Sequence, residues 1–435
     1  MKSQSNFSVS DLADILGTSK RTIQLKINSG RIPSIVNENG EHTFSQDHLR
    51  MFPEGREFLS RIIEGEIKLF TPSKKPTVVE LFAGCGGLAL GLESAGFEKV
   101  CLNEWDSHAC ATLRLNRPDW NVIEGDISNI DFTPYKDQAD VVSGGFPCQA
   151  FSYAGNKLGF EDVRGTMFFE FARCVREVNP KVLLAENVRG LLTHDRGRTL
   201  ETIKGVIDDL GYHLFTPKVV KAIYYQVPQK RERLIIVGIR KDLINQCDFI
   251  WPQPIPRIYH LDSALKAGEL FECDVPDSNG QKYPPRKAEI MEQVPEGGYW
   301  RDLPEKLQRE YMAGSFFLGG GKTGMARRLS WNEPSLTLTC APAQKQTERC
   351  HPEYSRPLTV REYARIQTFP DSWEFSGSVS QQYKQIGNAV PVNLAHHIGL
   401  SVSDLLAQIE GKHRAIFNAN QSDADIGQIP LAIES

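Results

Sequence analysis

From Thr77 onward, short apolar runs recur between longer segments whose apolar residues fall at helical spacing. The runs Thr77 to Phe82, Val100 to Glu104, Asn121 to Glu124, Val141 to Gly144, Val182 to Glu186, Leu214 to Val220 and Leu234 to Ile239 predict strands. Strands alternating with helical segments imply an α/β protein with an open, doubly wound, mostly parallel sheet and helices on both faces. Ligands of such sheets sit beyond the carboxyl ends of the strands, so chemistry is sought there first. Ahead of this region, Val9 to Leu16 is apolar at helical spacing, Gly17-Thr18 predicts a turn, and Ser19 to Asn28 predicts a second helix with Ser19 as N-cap. Ile15 and Ile23 are placed to pack the two helices together, leaving Lys20, Arg21 and Lys26 to face phosphates. Between Lys241 and Tyr354 the regular alternation is lost.

These patterns divide the chain into a helix-turn-helix domain (1–52), a connecting helix and linker (53–75) ending in Thr71-Pro-Ser-Lys-Lys-Pro76, and a catalytic unit (76–240). An irregular segment (241–354), a C-terminal segment (355–412) and a polar tail expected to fray (413–435) follow. Gly30-Arg-Ile-Pro33, the polar turn Asn37 to Gly40 and Thr43-Phe44 resemble the wing of a MerR-like or excisionase-like winged helix. A small helical domain with solvated lysines is the alternative.

Composition narrows the picture. With 435 residues, 40% hydrophobic and 24% charged, the chain is long enough for several buried cores. A net charge of -4 leaves a nucleic-acid partner open, because the clustering of basic residues decides that. No apolar run suits a membrane span and the start Met1-Lys-Ser-Gln-Ser lacks a signal core, so a cytoplasmic protein is expected. Nine irregularly spaced cysteines fit a reducing compartment. Cys340, Cys350 and His351 lack the further ligands of a zinc site, and no metal is expected. Gly319-Gly-Gly-Lys322-Thr323 lacks the first glycine of a P-loop, since Phe316 stands there.

Candidate chemistry falls at predicted strand ends. The first strand runs into Phe82-Ala83-Gly84-Cys-Gly86-Gly87, a turn through which a ligand can approach the backbone at a helix N-terminus. Alone it also satisfies a nicotinamide-dinucleotide pattern. Glu104, closing the second strand, is placed to bind ribose hydroxyls, Trp105 to stack on an adenine and Asp126 to accept from its amino group, which together suggest an adenosine-containing cofactor. Pro147-Cys148 alone reads as a buried loop cysteine, yet it follows an apolar strand ending in two glycines and shares its rim with Glu186. A glutamate closing an apolar strand is costly without a partner. Arg231 and Arg233 precede the last strand as alternate basic residues, which also fits an edge-strand salt-bridge face.

The ordered set resembles the DNA (cytosine-5)-methyltransferase family over roughly 76–240 and 355–410. The motifs carrying the resemblance are Phe82 to Gly87, Glu104-Trp105, Asp126, Gly145-Phe-Pro147-Cys148-Gln149, Arg164-Gly-Thr166, Glu186-Asn187-Val188, Gln229 with Arg231 and Arg233, Arg356 to Thr359, and Gly387-Asn388-Ala389-Val-Pro391. What the resemblance implies is a methyltransferase fold using S-adenosylmethionine, with Cys148, Glu186, Arg231 and Arg233 catalytic. Ala83, Ile127, Pro147 and Asn388 join the residues already named at the cofactor. The Cys148 thiolate would add to C6 of a cytosine flipped from double-stranded DNA, and Glu186, protonated or sharing a proton, would bond N3. Arg231 and Arg233 would stabilise the charge developing on the ring. In the segment 241–354, which holds target recognition in this family, Arg327, Arg328, Lys345 and Arg349 suit base edges and phosphates. A bacterial restriction-modification role, a monomeric enzyme with the N-terminal domain as the place where two chains would pair, and binding of that domain to its own promoter DNA are further expectations. On the last, deleting residues 1–70 is expected to leave methylation of a target oligonucleotide largely intact and to eliminate binding to the promoter fragment. The alternatives are a transfer-RNA cytosine-5 methyltransferase, a transcription regulator with a vestigial enzyme domain and a nicotinamide dehydrogenase.

Overall fold

The computed structural model describes residues 4–147, 166–245, 247–320 and 322–411; Cys148, Arg164 and the tail 413–435 lie outside them. The chain opens with strand β1 (Asn6–Ser8), helix α1 (Val9–Ile15), helix α2 (Lys20–Asn28), β2 (Ile35–Val36) and β3 (His42–Ser45). Ser8 caps α1 in a capping box with Asp11, and Ser19 caps α2 by accepting from the Thr22 N–H, which fixes where each helix begins. The three strands pair antiparallel in the order β1-β3-β2. Ile15 and Ile23 are both fully buried. The connecting segment forms only the short helices Pro53–Phe58 and Ser60–Ile63, less than the helix expected there.

The main sheet is built from β4 (Thr77–Leu81), β5 (Glu98–Glu104), β6 (Val122–Glu124), β7 (Val141–Gly144), β8 (Val182–Val188), β9 (Tyr212–Leu214), β10 (Lys218–Lys221) and β12 (Glu232–Arg240). Its order is β10-β12-β8-β7-β4-β5-β6, with β9 also on β12; β4 to β8 run parallel and β12 runs antiparallel to β8. The run expected as one strand from Leu214 to Val220 is two, β9 and β10, separated by Phe215-Thr-Pro217. Proline lacks a ladder donor and its ring restricts the preceding residue, so a strand interior is a poor place for it. A two-stranded parallel sheet joins β11 (Gln229–Lys230) to β13 (Ser335–Leu336).

Residues on the strands alternate between two cores. Val78, Val141, Val182 and Leu184 face one cluster, while Val79, Val142, Leu183 and Ala185 face another. The first is covered by α3 (Gly87–Ser94) and the C-terminal helix α8 (Val392–Ile409), the second by α5 (Met167–Val178) and α6 (Arg198–Asp209), with α4 (Ser107–Asn116) after β5 and α7 (Val379–Asn388) before α8. Gly91 lets α3 and α8 touch: a Cβ there would stand 2.3 Å from the Ala395 Cβ. This contact brings residues 392–409 back onto the sheet, although some three hundred positions of sequence separate them from α3.

Candidate active site

Parallel β4, β5, β6, β7 and β8 end on one rim, and antiparallel β12 begins there, which places Arg233 opposite Val188 and one diagonal step from Glu186. The Arg233 Nε stands 2.5 Å from the Glu186 Oε1, with both side chains largely buried at 11% and 13% exposure. At such burial the pair is screened far less than a surface bridge, and removing either partner strands the other charge. The second Glu186 oxygen points at Gly145, where a Cβ would approach it to 2.9 Å. A side chain at this position would have to displace the carboxylate, so glycine lets the segment before Cys148 pass close to it. Asn187, on the next position of β8, donates its Nδ2 to the Phe146 carbonyl at 2.8 Å and ties that segment to the rim. Its role went unassigned in the sequence, where only the motif around it was visible. The exposed Pro147 then leads to Cys148.

Arg231 does not face the rim as expected. It is 2% exposed, and its guanidinium donates to the carbonyls of Leu338 at 3.3 Å, Gly387 at 3.0 Å and Ala389 at 2.9 Å. Burial, with the like charge of Arg233, pushes its pKa down to about 9. Arg231 is thus a brace that binds the start of β12 to the C-terminal segment, and the charge left at the rim is Arg233.

On the other half of the rim, Phe82 and Gly84 adopt positive φ (55° and 54°), and a Cβ at Gly84 would meet nothing within 4 Å. The backbone is open to a ligand there. Gly86 and Gly87 serve packing instead: a Cβ on Gly86 would stand 3.0 Å from the Trp373 ring, and one on Gly87 2.3 Å from the Val390 carbonyl. Trp373 also donates its Nε1 to the Cys85 carbonyl at 3.2 Å, a support 288 positions away that no local pattern announced. Ala83 and Ile127 are buried beneath the rim. The Glu104 carboxylate accepts from three backbone N–H groups, those of Gly84 at 2.7 Å, Trp105 at 2.9 Å and Asp106 at 2.8 Å. Trp105 is 76% exposed, an unusual placement for a large ring and a ready stacking surface. Exposed Asp126 accepts from the Ser128 N–H and hydroxyl through one oxygen, and these bonds hold its carboxyl below the usual range. Exposed Asn388 accepts from the Cys340 thiol at 3.1 Å.

This donor set fits an adenosine-containing cofactor: an open glycine backbone, a carboxylate with a remaining lone pair, a free aromatic face and a second carboxylate lie on three adjacent strand ends. Glu104→Ala is expected to weaken S-adenosylmethionine binding by about 1.5–3 kcal/mol in calorimetry, since it removes a charged hydrogen-bonding group and releases the Gly84 N–H. An unchanged dissociation constant would reject the assignment.

The residues expected at DNA divide. Among the described residues Arg21 and Lys26 are exposed without an ion pair, whereas Lys20 pairs with Glu333 of the segment 241–354. Arg328 is 4% exposed and donates to the carbonyls of Met291, Val294, His351 and Pro352 and to the Ser355 hydroxyl. Arg349, held by the carbonyls of Thr337 and Glu348, is buried too, and burial lowers its pKa to about 10. Both arginines satisfy a loop-rich interior that lacks regular ladders, and neither is placed to reach DNA. Half-buried Lys345 lies over the Tyr311 ring, and half-buried Arg327 has a buried Nε with no hydrogen-bond partner among the described residues. Arg328→Met should lower unfolding free energy by about 2–4 kcal/mol in denaturant melts, because several buried carbonyls lose their donor. The salt dependence of DNA binding should not change; a slope reduced by about one would return Arg328 to the phosphate contacts.

A model of the family described as C-5 cytosine-specific DNA methylase matches residues 76–404. The Type II methyltransferase M.Eco47II of Escherichia coli is 64% identical over 404 residues, 93% of this chain and 96% of that protein. M.PspPI of Psychrobacter sp. (strain TA137) is 58% identical over 402 residues, covering 92% and 96%. Among solved structures, a putative DNA modification methyltransferase encoded within a prophage of E. coli aligns with a TM-score of 0.55 at 26% identity, over 76% of this chain and 99% of that one.

Proposed function

We propose, on the premise that this chain belongs to the C-5 cytosine-specific DNA methylases, that its rim methylates one cytosine within a specific duplex sequence. The protein is a DNA cytosine-5 methyltransferase with S-adenosylmethionine as methyl donor. The transfer-RNA, vestigial-enzyme and dehydrogenase readings are not favoured. The single observation that carries the assignment of roles is the Glu186–Arg233 pair facing Gly145, the segment that leads to Cys148.

When bound, S-adenosylmethionine supplies an electrophilic methyl group on a sulfonium. Gly84, Glu104, Trp105 and Asp126 would hold it at the ends of β4, β5 and β6. Cytosine C5 is too weak a nucleophile to take that methyl unaided. The Cys148 thiolate adds to C6, forming a carbon–sulfur bond and driving the ring electrons toward N3 and C5. Glu186 presents a protonated carboxyl to N3, and Arg233 fixes it in place and compensates the negative charge it gains as its proton moves to N3. C5 would then take the methyl carbon as its bond to the sulfonium sulfur breaks, leaving S-adenosylhomocysteine; a water-mediated base takes the C5 proton, and the returning electron pair expels the thiolate. The cytosine must leave the base stack to reach this rim.

No helix of the described residues is long and apolar enough to cross a membrane, and a cytoplasmic protein beside its DNA substrate is the setting we assign. The Type II names of the relatives favour protection of DNA in a restriction-modification system. Bisulfite sequencing of DNA from cells expressing the chain should reveal one short sequence with a protected cytosine. Fully converted DNA would reject the function.

A further inference from the structure

Residues 4–63 are not a tethered appendage. Phe7, Ile15, Ile23, Phe44 and Phe58 belong to the same buried cluster as Val220, Tyr224 and Ile235 of the catalytic unit. The Phe58 and Tyr224 rings lie 5.2 Å apart. The last carbonyl of α1, that of Ile15, accepts from the Lys221 Nζ at 2.9 Å and the Tyr224 hydroxyl at 3.1 Å, so the catalytic unit itself caps this helix. Asp11 pairs with His260 at 2.7 Å. One ion network then joins three parts of the chain: Asp14 and Lys20 from the N-terminal module, Lys230 from β11, and Glu333 from the recognition segment. Cutting away residues 1–70 would strip an apolar face and leave Lys230 and Glu333 without their partners across this junction.

The docking creates a groove of about 410 Å³ between the α1–α2 turn and the active-site rim. Gly17 and Thr18 line one side, and Val188, Arg189, Lys221 and Arg233 the other. Arg233 is the partner of Glu186, so the groove is continuous with the candidate active site. The Arg189 side chain is 67% exposed, and its pairing with Glu232 at 2.8 Å is a surface bridge that a phosphate can replace at little cost. Arg21 follows Thr18 by three residues, on the exposed first turn of α2.

Resting on the reading of the rim as the place where cytosine is methylated, we infer that the N-terminal module is a fixed wall of the DNA cleft, holding the sugar–phosphate backbone of the target duplex between Thr18 and Arg189. The Lys20–Glu333–Lys230 network sets that wall against the recognition segment, which makes the module part of target engagement. Lys20 is thereby committed to the protein and withdrawn from the contacts an independent DNA reader would use.

The test uses the full chain, S-adenosylmethionine, duplexes containing the sequence found by bisulfite mapping, and the same duplexes trimmed from either side. Thr18→Glu places a carboxylate against the backbone, and Arg189→Ala removes a cation from the opposite wall. Each should weaken binding of the long duplex about tenfold, Thr18→Glu by repulsion of the backbone, and Arg189→Ala should also lower the salt slope by about one, as expected for one lost phosphate contact. The S-adenosylmethionine dissociation constant should be unchanged, which reports an intact fold, and trimming one side should erase the difference from wild type. Both variants binding and methylating like wild type would overturn the inference, as would a penalty that persists on every trimmed duplex. Loss of promoter-fragment binding with target methylation intact would also overturn it, in favour of a separate regulatory reader. A wild-type chain that methylates no duplex would instead bring down the reading of the rim, and this inference with it.

Discussion

Cys148→Ser is expected to abolish the denaturation-resistant complex that the wild-type chain forms with a duplex carrying 5-fluorocytosine at its target, and to abolish methyl transfer with it. The trap depends on adduct chemistry: once the thiolate has added to C6 and C5 has taken the methyl, fluorine cannot leave as a proton does, and the carbon–sulfur bond persists. A thiol ionises near about 8.5 and its thiolate is strongly nucleophilic, while a serine hydroxyl needs a dedicated base. Among the described residues the rim carboxylate facing Gly145 is Glu186, and it is engaged by Arg233. Gly145 and the Asn187 bond to the Phe146 carbonyl hold the segment leading to Cys148 against that pair. Gel analysis of denatured reactions reads the result directly. A covalent band that survives the substitution would remove Cys148 from the nucleophile's role.

Glu186→Gln should lower the single-turnover methylation rate by about 10²–10⁴-fold, the range for loss of a positioned acid–base group. Glutamine keeps nearly the shape and can still accept from Arg233, so the fold and the S-adenosylmethionine dissociation constant should hold. What it loses is the proton or charge presented to N3 as the thiolate adds. Alanine is the less informative change, because it would leave the Arg233 guanidinium, 11% exposed, without its counter-charge. A Gln variant within about threefold of wild type would place Glu186 among the structural ion pairs.

Arg231 and Arg233 illustrate why the site was only partly legible in the sequence. Both stand in one basic run at the start of β12, Arg231 just before it and Arg233 within it, and alternation suggested one shared face. The chain leaves the short β11 pairing just before Arg231, and the side chain turns into a nest of carbonyls supplied by residues 338 and 387–389. Those acceptors are more than a hundred positions away, beyond any local pattern. Arg328 and Arg349 repeat the case: a guanidinium has five donors and suits phosphate or several carbonyls equally well, and the choice depends on which atoms surround it.

Local chemistry fixed the parts that depend on neighbours in sequence. The cap at Ser19, the period of the strands, the glycine turn after β4 and the placing of Glu104, Asp126 and Glu186 at or near strand ends follow from short-range sterics and hydrogen bonding, and they were readable from the residues alone. Tertiary structure decided the rest. It reversed β12 so that Arg233 meets Glu186, placed Trp373 under the glycine turn, and used the apolar face of residues 7–58 to dock the N-terminal module beside the active site. The physical reason is that each of these depends on burying surface or charge between segments far apart in the chain, and a residue's spacing states what it can pair with, while only packing states what it does pair with.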